Sequence, residues 1–143
     1  MEKGRYTMIQ LIMGKKGSGK SKQIVEMANN LVDEAEGDIV FIDDDNRYMY
    51  DLKHEIRFVN SSEYSVDDVN MFYGFVCGMI SQDFDISHIF IDGIKNMVHS
   101  ELVEMEDLFK NLSRVLKKND VKAVIVVSAD PSEAPEFLKE YIG

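Results

Sequence analysis

At 143 residues the chain has room for one domain with a substantial core and none for a second. Sixteen Lys and Arg against 26 Asp and Glu leave a formal net charge of −10, which repels nucleic-acid backbones and anionic membrane surfaces, so neither is expected as a partner. A single cysteine, Cys77, excludes an intrachain disulfide, and no apolar run reaches membrane-spanning length or forms a signal sequence; the expectation is a soluble protein of a reducing cytoplasm.

The domain is expected over residues 1–143, with Met1 to Tyr6 frayed. Thr7 to Met13 is a mostly apolar run that reads as a buried strand. Directly after it, Gly14-Lys15-Lys16-Gly17-Ser18-Gly19-Lys20-Ser21 fits the phosphate-loop pattern G-x-x-x-x-G-K-[ST] at every position. Backbone N–H groups approach phosphate oxygens closely only where side chains leave room, which is the expected use of Gly14, Gly17 and Gly19. Lys20 would reach the β- and γ-phosphates, and Ser21 would offer a hydroxyl to Mg²⁺. Ile24, Met27, Ala28, Leu31 and Ala35 then recur at helical spacing, which predicts a helix from about Lys20 to Glu36 with its positive end on the phosphates and Gly37 as a left-handed cap. This strand, loop and helix resemble the P-loop NTPase superfamily. The basic cluster Lys15, Lys16, Lys20 and Lys22 would serve a nucleotide's own phosphates.

Asp38 to Asp43 reads as a second buried strand, ending in Asp43, Asp44 and Asp45, an exposed acidic turn that could hold a cation weakly. Phe58-Val59 could form a minor edge strand. Ser65 and Asp68 make a capping box for a helix whose buried stripe is Val69, Phe72, Val76 and Met79 or Ile80, with Gly74 and Gly78 placed for close packing on the sheet. Cys77 on this helix reads as a small buried hydrophobe. His88 to Asp92 is an apolar strand ending in an acid. A helix from about Ser100 to Lys118 follows, burying Met105, Leu108, Phe109, Leu112, Val115 and Leu116. Val121 to Ser128 is the most continuous β-branched run and reads as a central strand. Asp130-Pro131-Ser132-Glu133 opens a last helix carrying Ala134, Phe137, Leu138, Tyr141 and Ile142. Strands alternating with helices predict an α/β three-layer sandwich around a mainly parallel sheet of four to five strands, with ligands at the carboxyl ends. The scattered His54, His88 and His99 form no ligand set.

The resemblance to P-loop NTPases implies ATP and Mg²⁺ as ligands, Gly14 to Ser21 as the phosphate-binding set, and Ser21 with Asp92, in the position of the Walker B acid, as the metal pair. Asp43 ends its strand in the same way and is the rival. The RecA-like branch inserts the strand after Walker B between that strand and the P-loop strand, whereas nucleoside-monophosphate-kinase types place those two side by side. The apolar strand Val121 to Val127 suits the inserted place, with Ser128 as a polar residue near the γ-phosphate. Lys20 and Asp92 are then the catalytic candidates, with Ser128 and Arg47 behind them.

Two departures matter: Gly93 stands where RecA-like ATPases often carry a water-polarising glutamate, and the guanine-reading N-K-x-D pattern is absent. Asp45-Asn46-Arg47-Tyr48 is similar to the D-x-R-Y segment of thymidine kinases with a RecA-like core, but their catalytic glutamate and four-cysteine zinc ribbon are missing. The expectation is an ATP- and Mg²⁺-binding protein whose ATPase activity is weak or depends on a protein partner or self-association. The alternative is a small-molecule or nucleoside kinase using Asp43 to Arg47 on its acceptor.

Overall fold

The computed structural model describes residues 7–142, so Met1 to Tyr6, expected to fray, lie outside the described residues. Five strands form the sheet: β1 Ile9–Gly14, β2 Asp38–Asp43, β3 Arg57–Asn60, β4 Ile86–Asp92 and β5 Lys122–Ser128. All pair in parallel, in the order β1-β5-β4-β2-β3. The strand after Asp92 therefore lies between the strand that ends in Asp92 and the strand that ends in Gly14. Phe58-Val59 belongs to a real edge strand, paired to β2 from Val40↔Arg57 to Asp43↔Asn60.

The middle strands are apolar on both faces because both faces are covered. Ile39, Phe41, Phe90, Val124 and Val126 pack with Ile24, Val25 and Ala28 of α1 (Lys20–Leu31) and with Leu52 and Ile56. The alternate residues, among them Val40, Ile42, Ile89, Ile91, Ile125 and Val127, meet α2 (Val69–Gln82), α3 (Ile94–Val98) and α4 (Glu106–Asn119) on the other face. The result is three layers, helix, sheet and helices. Phe41 sits between the rings of Phe58 and Phe90, at centroid distances of 6.3 and 6.2 Å, and this row ties β3, β2 and β4 together. By the same alternation Asp43 follows Phe41, and Asp92 follows Phe90, onto the α1 face. Among the described residues no helix is long and apolar enough to cross a membrane.

Several local expectations are corrected. The first helix ends at Leu31 rather than Glu36, its chain tightening into turns such as Glu34 N–H to Leu31 C=O at 3.0 Å. Gly37 is not a left-handed cap. It is small because a Cβ there would fall 1.9 Å from the Asp85 carbonyl oxygen. Ser65 does not cap α2; it has φ 57° and closes the 3-10 turn Ser61–Tyr64, while Asp68 accepts the Met71 N–H at 2.8 Å. The stripe of α2 continues through Ile80, with Met79 only half-buried, and Cys77 is likewise half-buried.

Gly74 and Gly78 do not pack against the sheet: both are exposed, and an added Cβ would meet nothing within 4 Å. The helix expected from Ser100 is divided into a 3-10 turn, Leu102–Met105, and α4, with α3 before them unforeseen. The final segment is not an α-helix. Asp130 caps Ser132 N–H at 3.0 Å as expected, but Pro135 holds Ala134 extended (ψ 130°), and only 3-10 turns follow, at Pro131–Glu133 and Glu136–Tyr141.

Candidate functional site

The chain leaves β1 at Gly14 and enters α1 at Lys20 through a loop in which Gly17 and Gly19 take φ of 85° and 86°. Glycine is needed at these two positions for their backbone, and a Cβ at either would meet no other protein atom within 4 Å. At Gly14 the matter is space: a Cβ would lie 2.7 Å from Ser18 Oγ and 3.2 Å from Lys20 Cδ, so a side chain there would have to shift both. Lys20 is only 7% exposed. Its ammonium donates to the Lys15 carbonyl at 2.9 Å and to Ser18 Oγ at 3.3 Å, so the loop wraps its own cation. Lys15 extends outward, with its ammonium 3.8 Å from Asp130.

A cleft of about 640 Å³ opens at the carboxyl ends of the strands. Of the predicted residues, Lys16, Gly17, Gly19, Lys20, Ser21, Arg47, Asp92 and Ser128 line it, whereas Gly14, Lys15 and Ser18 do not. Ser128 is brought beside the loop by the register Gly14↔Ser128. Lys95 and Asn96 also line the cleft and were not foreseen. They sit on α3, a five-residue helix too short to show a period, and the only signal was proximity to Asp92. A second cavity of about 410 Å³ lies at the opposite end of the sheet, among Ile9, Met27, Leu31, Phe90 and Tyr141. None of the predicted site residues reaches it, and parallel α/β sheets bind ligands at the carboxyl end, so the larger cleft is the candidate site.

Asp92 is buried, and its Oδ2 has no hydrogen-bond partner among the described residues. Burial pushes its carboxyl up; the facing Ser21 hydroxyl and the charges of Arg47 and Lys20 pull it back. Asp43, expected in an exposed turn, is fully buried. Burial, the neighbouring Asp44 carboxyl and the charge of Asp92 push it up to about 8, although its Oδ1 accepts the Asp44 N–H at 2.7 Å. Arg47 reaches over this group, its Nη2 3.7 Å from Asp43 Oδ1 and 3.8 Å from Asp44 Oδ1, with Nε 2.9 Å from Asp45 Oδ2. Its guanidinium also lies 5.7 Å from the centre of the Tyr48 ring.

Gly93 has φ 84°, and a Cβ there would fall 2.6 Å from Asp44 Oδ1. A glutamate cannot stand at 93 without moving Asp44, so the acid next to Asp92 comes from the neighbouring strand's end. No protein-family model and no curated protein matches this chain.

Proposed function

We propose that this protein binds ATP with Mg²⁺ in the cleft at the carboxyl end of the sheet and hydrolyses it slowly without a partner. The observation that carries the reading is the arrangement of Lys20. A buried lysine lies at the first position of a 12-residue helix, inside a glycine-bent loop, with Ser21 beside it facing Asp92 across the cleft. The N-terminal N–H groups of α1 point their positive partial charge into the same space, which favours phosphate there. Lys20 would exchange its bond to the Lys15 carbonyl for phosphate oxygens. Ser21 and Asp92 would hold the metal, since the unpartnered Asp92 Oδ2 is an acceptor in need of a cation. Bound Mg²⁺ supplies charge neutralisation between the phosphates. The insertion of β5 between β1 and β4 is the order expected of the RecA-like arrangement and supports that branch.

Slow turnover follows from Gly93 and from Arg47. Position 93 offers no carboxylate to orient water, and Arg47, the one arginine among the described residues that lines the cleft, is held by acids instead of facing the loop. An arginine finger alone changes turnover by about 10³ to 10⁵. Purified protein at saturating ATP and Mg²⁺ should release phosphate far below the median enzyme rate of about 10 s⁻¹, and Asp92→Asn should remove the Mg²⁺ dependence of ATP binding. Turnover of several per second, or an unchanged Mg²⁺ dependence in Asp92→Asn, would refute this account.

A kinase is the second reading, favoured by one specific observation: Arg47 and Tyr48 line the same cleft as Lys20 and Asp92, where an acceptor would meet the γ-phosphate. Labelled ATP offered with a panel of nucleosides separates the two readings. Transfer of label to one of them, in excess of release to water, selects the kinase.

A further inference from the structure

The cleft draws its cations from two sides. Lys16, Lys20 and Lys22 belong to the glycine loop and the first turn of α1, and Arg47 is tied to Asp45 at 2.9 Å. Lys95 lines the same cleft from another element, α3, three residues beyond Asp92. Gly93, at φ 84°, turns the chain out of β4, and its carbonyl accepts both the Asn96 and the Met97 N–H at 3.0 Å, so α3 starts directly at the strand end. Ile94, Met97 and Val98 are 1%, 2% and 1% exposed and pin this short helix into the core. With that face spent on packing, Lys95 is left to the cleft. Its side chain is 34% exposed, and the one carboxylate within ion-pair reach among the described residues, Glu101, stands 3.9 Å away and is itself 77% exposed. A pair so long and so open to water is worth little. Lys95 is therefore a largely covered cation on a fixed backbone, whose ammonium can exchange its partner at small cost.

We propose that Lys95 binds the terminal phosphate of the nucleotide and makes the cleft select triphosphate over diphosphate. This inference rests on the phosphate reading above. The sheet order gives the direction: the glycine loop follows β1, Asp92 ends β4, and β5 lies between them. A polyphosphate held in the loop by its inner phosphates and extending toward Asp92 runs across the end of β5, so the phosphate it presents to α3 is the last one. A lysine suits that place, since three donors on a flexible four-carbon stem can follow whichever oxygen faces them. Lys20, reaching from the loop to inner and outer phosphates alike, does not by itself tell the two nucleotides apart. The Lys95 contact is made with bound ATP as much as with the transition state, so it raises affinity without raising turnover and leaves the slow hydrolysis as it stands.

Calorimetric titration of ATP and of ADP, each with Mg²⁺, into the parent and into Lys95→Gln tests this. Lys95→Gln should weaken ATP by about tenfold or more, the loss expected for a hydrogen bond between charged groups, and leave ADP within about twofold. Lys95→Met, which keeps the stem and removes the charge, should behave as Lys95→Gln does, Lys95→Arg should retain most of the preference, and Lys20→Ala should weaken both nucleotides. Circular dichroism on each variant checks that α3 and the fold are kept. With both nucleotides bound by the parent, an unchanged ratio of ATP to ADP affinity in the folded Lys95 variants, or an equal weakening of the two, overturns the proposal while leaving the phosphate reading in place; the second result would make Lys95 a general source of positive potential. A parent that binds neither nucleotide overturns the phosphate reading, and this inference with it.

Discussion

Asp43 is the residue whose environment departs furthest from what its side chain prefers. Water is excluded, the nearest cation among the described residues stands off at 3.7 Å, and the carboxyl rises from 3.8 to about 8. Between roughly pH 4 and 8 the folded chain therefore keeps a proton that the unfolded chain has released. Protons bound in excess by the folded state make stability fall as pH rises through that window and level off above it. Asp43→Asn keeps an oxygen for the Asp44 N–H and has nothing to ionise. In metal-free buffer it should therefore be more stable than the parent at pH 8.5, by at least about 1 kcal/mol given about 1.4 kcal/mol per pKa unit, and close to the parent at pH 5. Urea unfolding at the two pH values reads this directly; an advantage of the same size at both would mean that Asp43 ionises normally in the fold. This burial was not expected, because three consecutive acids at a strand end read as a solvated turn. What placed Asp43 inside was the parity of β2, the same alternation that puts Phe41 between two rings.

At the scale of elements, the periodic segments were legible and the short ones were not. The strands ending in Gly14, Asp43, Asp92 and Ser128, and the buried stripes of α1, α2 and α4, follow from apolar spacing alone. The five-residue α3 has too few turns to carry a period, and the last segment has helical spacing but is cut by Pro135 before any α-helical turn can form. Gly74 and Gly78 were misread for a different reason: spacing cannot tell which face of a helix meets the sheet at a given glycine, and here both lie on the exposed side of α2. Nothing in the surroundings then requires them to be glycine. Gly74→Ala and Gly78→Ala should each stabilise the protein by roughly 0.5–1 kcal/mol, the helix-propensity difference between the two residues. A raised urea midpoint with an unchanged slope checks this, and a loss of stability in either variant would show that the face is covered.

For the molecule as a whole, the fold class and the position of the cleft were readable, since alternating strands and helices put both Gly14 and Asp92 at strand ends on the same side of a parallel sheet. The acid cluster around Gly93 was not, because it joins residues of β2 to a glycine after β4, about fifty positions along the chain, through strand pairing that no local pattern encodes. The same pairing explains why Gly93 carries no side chain. ATP binding as proposed depends most on Lys20, whose ammonium is enclosed by the glycine loop. Isothermal calorimetry with ATP and Mg²⁺ on the parent and on Lys20→Ala is the most direct measurement of that claim. Loss of a charge-assisted bond worth about 1.5–3 kcal/mol predicts a weakening of roughly tenfold to a hundredfold, with the variant still folded by circular dichroism. ATP affinity in a folded Lys20→Ala protein equal to that of the parent, or no ATP binding by the parent at all, would contradict it.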